Sequence, residues 1–269
     1  MKIINCQKIA DTILEDLRKE IKKQNIKPRL AVILIGDNSV SHLYVKIKEK
    51  TGQSIGVEIE KHFLSDKIKE QEIVNLVDSL NKDNRINGIL VQLPLPQNFS
   101  ADRIIKEISI KKDVDGFLPE SRFDSPFILA IYEAIRATNE NLKKKEIIAL
   151  VNSNVFGKSL CKFFLKHELI EIDYIVLGTV PNRIGDCPQL EQADILITAL
   201  GRPGMIKGNI IKKNAILIDG GISKKNNKII GDVDSKSVQD KAKWLSPVPG
   251  GLGPLTVAFL LKNVVKNSF

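Results

Sequence analysis

Leu30-Ala31-Val32-Ile33-Leu34-Ile35 is an unbroken apolar run, and the chain after it switches to helical spacing over Val40 to Gln53 and back to a strand-like run over Val57 to Leu64. A short apolar run with no polar alternation reads as a strand covered on both faces, rather than one with a wetted side. The same alternation goes on with a helix over Glu70 to Leu80 and a strand over Gly88 to Leu93. Parallel neighbours need crossover connections, so strands separated by helices predict a mostly parallel α/β sheet.

Upstream of this unit, Ile9, Ile13, Leu14, Leu17 and Ile21 recur at three- and four-residue spacing, the mark of a helix that buries one stripe. Downstream, Pro126 to Thr138 reads as a helix and Asn139 to Lys145 as a polar, lysine-rich connector. A second α/β set follows. Its strands are expected at Ile147 to Val151, Tyr174 to Leu177, Ile195 to Ala199 and Ala215 to Asp219, with helical stretches at Lys158 to Lys166 and Asn209 to Lys212. A last helix from Pro254 to about Val265 follows a Gly-Pro-rich segment, with Pro254 suited to a first turn. Two α/β domains with mostly parallel sheets are therefore expected, with bounds at 1–138 plus 254–269 for the first and 139–253 for the second.

Composition narrows the function class. The chain has 269 residues, 43% of them hydrophobic, enough for one large or two modest cores. No apolar run approaches the ~20 residues of a spanning helix. Met1 to Leu17 lacks the apolar centre and small-residue cleavage site of a secretory signal, so a cytoplasmic location is expected. Cys6, Cys161 and Cys187 are odd in number and far apart, and read as free thiols. His42, His62 and His167 show no zinc-type spacing, so no metal is expected. The net charge of +9 raises nucleic-acid binding as a rival class. The lysines are dispersed, however, and aromatics make up only 5% of the chain, too few for a stacking platform. A positive field also attracts phosphorylated cofactors and polyanionic small molecules.

Four segments carry chemistry. Tyr44 and Lys48 in Ser41-His42-Leu43-Tyr44-Val45-Lys46-Ile47-Lys48 are four apart, which puts them on one helix face; that spacing alone is common on exposed helices. Gln92 interrupts the apolar run of Gly88-Ile89-Leu90-Val91-Gln92-Leu93-Pro94-Leu95-Pro96 near the strand's C-terminal end, where an open parallel sheet meets its ligand. A satisfied structural glutamine is the alternative. Lys112-Asp113-Val114-Asp115-Gly116-Phe117 reads, as a bare pattern, as a turn. Ser246-Pro247-Val248-Pro249-Gly250-Gly251-Leu252-Gly253-Pro254-Leu255-Thr256 alternates stiff and closely approachable backbone, and its plain alternative is a rigid linker.

Taken together and in this order, the four segments resemble the hallmarks of the bifunctional methylenetetrahydrofolate dehydrogenase/methenyltetrahydrofolate cyclohydrolase family: Tyr-x-x-x-Lys, Val-Gln-Leu-Pro-Leu-Pro, Lys-Asp-Val-Asp-Gly and Pro-Val-Pro-Gly-Gly-x-Gly-Pro. Ala193-Asp194-Ile195-Leu196, Gly201-Arg202-Pro203-Gly204, Ile218-Asp219-Gly220-Gly221-Ile222 and Gly231-Asp232-Val233 extend the resemblance over essentially the whole chain.

The resemblance implies a folate-binding catalytic first domain and a Rossmann-like nicotinamide-cofactor second domain with a ligand cleft between them. It implies oxidation of 5,10-methylene-tetrahydrofolate with NADP, NAD being the other candidate, and hydrolysis of the 5,10-methenyl product to 10-formyl-tetrahydrofolate. It assigns Lys48 as the acid/base residue, Gln92 as its tuner, Tyr44 as a stacking partner for folate and Asp115 as the pterin-binding carboxylate. Val91, Leu93, Pro249, Gly250 and Gly251 are implied folate contacts. Asn152, Ser153, Gly157, Lys158, Arg183, Ala199, Gly201 and Ile222 are implied cofactor contacts. A lysine that accepts a proton must be neutral, and burial beside a cationic substrate lowers its pKa.

The cofactor half departs from the pattern. The usual Gly-Arg-Ser-x-x-Val-Gly-x-Pro stands here as Val151-Asn152-Ser153-Asn154-Val155-Phe156-Gly157-Lys158-Ser159, without the first glycine, the arginine and the proline. The usual His-Ser is missing around Gly178 to Asn182. Pro-Cys-Thr-Pro has become Phe123-Asp124-Ser125-Pro126, with Ile128 near the usual glycine. Lys158 or Arg183 is a substitute contact for phosphate. Three outcomes fit: NADP held by substitutes, a shift toward NAD, or cyclohydrolase activity alone. A catalytically inactive folate-binding protein is the rival of another class, opposed by the survival of Lys48, Gln92 and Asp115 together. Family analogy implies a homodimer, with no nucleic-acid or membrane partner.

Overall fold

A computed structural model of the chain describes residues 1–177, 187–225 and 228–269. In chain order its elements are β1 (Lys2–Ile3), α1 (Cys6–Gln24), β2 (Arg29–Ile35), α2 (Ser39–Ile55), β3 (Glu58–Leu64), α3 (Glu70–Lys82), β4 (Gly88–Val91), α4 (Ala101–Lys106), α5 (Pro126–Arg136), β5 (Ile147–Val151), α6 (Asn154–Glu168), β6 (Asp173–Val176), β7 (Ile195–Ala199), β8 (Ile216–Asp219), β9 (Ser223–Lys225), β10 (Lys228–Ile230), β11 (Trp244–Ser246) and α7 (Leu252–Lys266). The chain divides into two compact units: Ala10–Pro126 with Val257–Phe269, and Met1–Ile9 with Phe127–Thr256.

In the first unit β2 is the middle strand of a parallel sheet of order β3-β2-β4. Successive strand side chains point to opposite faces, and both faces of β2 are covered. Leu30, Val32 and Leu34 pack with Leu17 and Ile21 of α1 and with Val257, Leu260, Leu261 and Val264 of α7. Ala31, Ile33 and Ile35 pack with Ile73, Val77 and Leu80 of α3 and with Ile104 and Ile105 of α4. The missing polar alternation in the hexapeptide is the direct product of this two-sided burial.

The second unit is a six-stranded parallel sheet of order β1-β11-β8-β7-β5-β6, with the antiparallel hairpin β9-β10 beside it. Ile148 and Leu150 of β5, Leu196 of β7, Leu217 of β8 and Leu245 of β11 share one buried cluster. α6 packs on β5 and β6.

Three sequence expectations are corrected. The helix at Pro126 to Thr138, placed with the catalytic domain, belongs to the second unit: Tyr132 of α5 sets its ring edge-on to Phe163 and Phe164 of α6. The N-terminal residues also belong there, because β1 pairs in parallel with β11. The bounds thus move from 138/139 to 126/127, and from 253/254 to 256/257. Finally, Asn209 to Lys212 forms no α-helix; a single 3₁₀ turn covers Gly208–Ile210.

Candidate active site

α2 carries two of the predicted side chains, and its ends are fixed locally. The Asn38 carboxamide oxygen accepts hydrogen bonds from the Val40 and Ser41 amides, both at 3.0 Å, satisfying donors that a helix start leaves unpaired. At the other end Gly56 adopts φ +93, a left-handed cap that costs glycine nothing. Between the caps, Tyr44 and Lys48 lie one turn apart. Tyr44 is half-buried, and burial raises its phenol pKa.

Lys48 is 9% exposed, and its Nζ donates to Gln92 Oε1 at 2.6 Å. Gln92 stands just beyond the end of β4. Its backbone N–H donates to Ile33 O at 2.8 Å and its Nε2 to Leu93 O at 2.7 Å, so the carboxamide is oriented at both ends with its oxygen toward the amine. Burial pulls the Lys48 pKa from 10.5 to about 8, against the field of the Asp115 carboxylate, which raises it. A neutral amine that donates one N–H to Gln92 keeps its lone pair free to accept a proton.

Asp115 is supplied by a loop built from its own motif. Asp113 is buried, and its carboxylate accepts from the amides of Gly116 (3.0 Å), Phe117 (3.3 Å) and Leu118 (2.9 Å). Gly116 has φ +67, and a Cβ there would lie 2.6 Å from Phe123 O, so only glycine fits. Val114 sits over Gly88 of β4, where a Cβ would come within 2.7 Å of it, and Asn263 of α7 donates to Val114 O at 2.9 Å. Lys112 Nζ donates to Leu80 O and Asp83 O, both at 2.7 Å, tying the motif to the end of α3. Burial pushes Asp115 up to about 6, with Lys48 pulling it down and Asp113 pushing it up.

The other predicted folate contacts are placed differently. Val91 is buried in the cluster shared with α3 and α4, so it has only main chain to offer. Leu93 is half-buried against that cluster. Pro249, Gly250 and Gly251 belong to the second unit, between β11 and α7. Gly250 has φ +91, and a Cβ on Gly251 would overlap Pro247 O. The segment is a tight return and not an extended linker.

The predicted cofactor residues gather at the C-terminal ends of β5, β7 and β8, where parallel sheets seat nucleotides. Asn152 follows β5; its backbone N–H donates to Ala199 O at 3.2 Å and its Nδ2 to Leu200 O at 3.4 Å. Ser153 caps α6 by accepting from the Phe156 amide at 3.3 Å. Gly157 lies against Tyr174 of β6, and a Cβ would overlap that ring. Lys158 is exposed on α6, and Gly201 has φ +68 with nothing within 4 Å of its Cβ position among the described residues. Ala199 ends β7 and Ile222 follows β8, partly exposed. These features fit a dinucleotide: a capped helix start, an open glycine and sheet-edge backbone. Arg183 lies outside the described residues.

Three features went unread in the sequence. Ser41, one turn before Tyr44, has a buried hydroxyl with no hydrogen-bond partner among the described residues. Phe127 stacks on Phe156 with ring centroids 5.3 Å apart, in two stretches that depart from the family pattern. Asp219 and Asp232 are buried carboxylates. Only the Ser41 position, seven residues before Lys48, carried a usable periodic signal.

Known proteins give a consistent picture. The family model for the tetrahydrofolate dehydrogenase/cyclohydrolase catalytic domain matches residues 4–115, and that for the NAD(P)-binding domain matches residues 127–268. The bifunctional protein FolD of Halothermothrix orenii is 37% identical over 98% of this chain and 97% of its own. That of Rickettsia akari is 37% identical over 98% and 95%. The crystal structure of FolD from Campylobacter jejuni, a methylenetetrahydrofolate dehydrogenase/cyclohydrolase, superposes with TM-score 0.89 at 33% identity, covering 100% of this chain and 98% of that one.

Proposed function

The chain belongs to the tetrahydrofolate dehydrogenase/cyclohydrolase family, and on that premise we propose that Lys48, held by Gln92 and flanked by Asp115, is the group that takes up the proton during hydrolysis. The activity is one-carbon folate interconversion: oxidation of 5,10-methylene-tetrahydrofolate to 5,10-methenyl-tetrahydrofolate with a nicotinamide cofactor, and hydrolysis of the methenyl form to 10-formyl-tetrahydrofolate. The bound dinucleotide supplies a two-electron acceptor for the hydride that leaves the methylene carbon.

The observation that carries the proposal is a desolvated amine whose pKa is drawn down to about 8 and whose position is set by a doubly anchored carboxamide. As water adds to the methenyl carbon, the neutral amine accepts one of its protons. The carbon–nitrogen bond to N5 then breaks as the added hydroxyl gives up its proton to become the carbonyl; N5 ends with one proton, the other is released from Lys48, and the formyl group stays on N10. A cationic substrate beside Lys48 disfavours the ammonium further, so binding prepares the base. Asp115 accepts bonds from pterin N–H groups, and Tyr44 offers a flat apolar face to the folate ring system.

In the second unit, Ser153, Gly157, Gly201 and the main chain at Ala199 and Ile222 hold the cofactor, with Asn152 and Lys158 at the phosphates. We assign NADP in preference to NAD. The sequence from Leu177 to Arg183 has no carboxylate of the kind that binds a free ribose 2′-hydroxyl, and it ends in an arginine suited to a 2′-phosphate. We also propose a homodimer formed through the second unit, because β6 is an edge strand among the described residues, its Val176 is exposed, and Leu165 of α6 and Leu169 just after that helix are exposed too. Among the described residues no helix is long and apolar enough to cross a membrane. Three free cysteines suit a reducing compartment, and we place the enzyme in the cytoplasm.

Two assays test the proposal: hydrolysis of methenyl-tetrahydrofolate, and its formation from methylene-tetrahydrofolate with NADP or NAD supplied separately. Lys48→Met is expected to lose hydrolysis by at least ~100-fold while remaining folded. An unimpaired variant refutes the role of Lys48, and turnover with NAD alone refutes the cofactor assignment.

A further inference from the structure

Asp219 and Asp232 are 2% and 0% exposed, and neither takes part in the chemistry above. Asp219 ends β8, and Asp232 follows β10 at the turn into Val233. Desolvation raises both carboxyl pKa values, Asp219 to about 6, against the backbone donors that lower them. Holding two carboxylates in such a place costs free energy, so the bonds they make have to repay it.

Those bonds go to two particular loops. Asp232 Oδ2 accepts from the Leu200 amide and Oδ1 from the Arg202 amide, each at 2.7 Å. Asp219 Oδ1 accepts from the Gly221 amide at 3.0 Å, the Asp232 amide at 3.0 Å and the Thr198 hydroxyl at 3.3 Å, while Oδ2 accepts from the Val233 amide at 3.0 Å. The two side chains are thus joined: Asp219 holds the backbone of Asp232, and Asp232 holds the loop after β7. Glycine is required at both contacts, since a Cβ on Gly221 would overlap the Asp232 carboxylate and one on Gly231 would overlap that of Asp219.

The anchored loops, 200–202 after β7 and 220–222 after β8, stand at the sheet edge where the dinucleotide is expected. Among the described residues nothing lies within 4 Å of the Gly201 Cβ position, and Ile222 is 37% exposed. Both oxygens of Asp232 are needed as acceptors, so an asparagine would set an NH₂ against a backbone N–H.

We propose that Asp232, oriented by Asp219, is a positioning residue for the nicotinamide cofactor, acting through the backbone at Leu200 and Arg202, while Asp219 itself holds the amide of Gly221. This rests on the assignment of the second unit as the cofactor domain. It predicts a split that a general structural role does not give, because hydrolysis of methenyl-tetrahydrofolate uses no cofactor.

The test compares wild type, Asp232→Asn and the milder Thr198→Val, which keeps the side-chain shape and removes the hydroxyl donor. NADPH affinity is read by fluorescence titration, loop order by amide hydrogen exchange of the cofactor-free protein, and hydrolysis alongside. Asp232→Asn is expected to weaken NADPH binding about tenfold or more, raise the KM for NADP more than it lowers kcat, speed exchange at 200–202, and leave hydrolysis within about twofold. Thr198→Val should show the same pattern at roughly threefold. The proposal is overturned if NADPH affinity stays within twofold in both variants, or if binding and hydrolysis fall together in Thr198→Val. Should Asp232→Asn not fold, Thr198→Val decides. A wild-type protein that binds neither NADPH nor NADH refutes the cofactor-domain assignment itself.

Discussion

Lys48→Met should be a dead hydrolase that is more stable than the enzyme it came from. Burial draws the Lys48 pKa from 10.5 to about 8. At about 1.36 kcal/mol per pKa unit, this means roughly 3 kcal/mol against the charged amine in the folded state at neutral pH. Methionine fills a similar volume without that charge. The substitution leaves Gln92 Oε1 without its donor and Asp115 without its cation, each costing about 1 kcal/mol. The net gain is about 1 kcal/mol, seen as roughly 2–4 °C in the Tm of the unit that carries it. The pH dependence is more diagnostic than the size. Because the folded-state pKa is depressed, the unfolded chain holds more protons between pH 8 and 10.5, and wild-type stability rises with pH across that window. The penalty is fully present below pH 8. Urea unfolding of both proteins at pH 7, 9 and 10.5 should therefore show the variant's advantage shrinking as pH rises and reversing by pH 10.5, where the cost to wild type is gone and the variant still lacks a donor to Gln92. A gap that is constant with pH, or a variant less stable than wild type by more than ~2 kcal/mol at pH 7, refutes the idea that Lys48 is held at an energetic cost.

Other outcomes follow from the same geometry. Hydrolysis, corrected for the uncatalysed rate, should rise with pH through about 6 as Asp115 ionises and again through about 8 as Lys48 becomes neutral; a flat profile over that range contradicts the assigned roles. Gln92→Leu removes the acceptor that positions the amine and should lower hydrolysis roughly tenfold to a hundredfold with little change in Tm, measured by steady-state kinetics beside thermal melts. Gly116→Ala places a Cβ 2.6 Å from Phe123 O at φ +67, and should cost at least ~2 kcal/mol together with a raised KM for folate. Leu169→Asp, at an 86% exposed position just after α6, should shift the protein from dimer to monomer in analytical ultracentrifugation while leaving the monomer folded.

Much of the fold was readable because burial writes itself into local sequence. β2 is covered on both faces, so it lost all polar alternation, and α2 and α3 keep their stripes and their end signals. The elements that were missed owe their form to distant partners. β1 is two exposed residues that count as strand only by pairing with β11, itself three residues long. α5 shows an apolar helix pattern, but no local signal says which sheet it covers; the rings of Phe163 and Phe164 decide that.

The site divides in the same way. Gln92 stood out as a polar residue in an apolar run, whereas Lys48, on a spacing common to exposed helices, and Asp115, in an ordinary turn pattern, were picked out only by the resemblance of their segments to the family's motifs. Asp113 did not, because a carboxylate that feeds three amides of its own loop looks in sequence like any turn-forming aspartate. Asp219 and Asp232 are joined through residues that lie 13 apart in sequence, so their partnership appears only once β8 and the turn after the hairpin are folded.

The most direct test is an NMR titration of the Lys48 side-chain amine, assigned by comparison with Lys48→Met. A midpoint near 8 is predicted in the free enzyme, falling lower when a cationic methenyl-folate analogue is bound. A midpoint near 10.5 that does not respond to the analogue contradicts a desolvated base at this position.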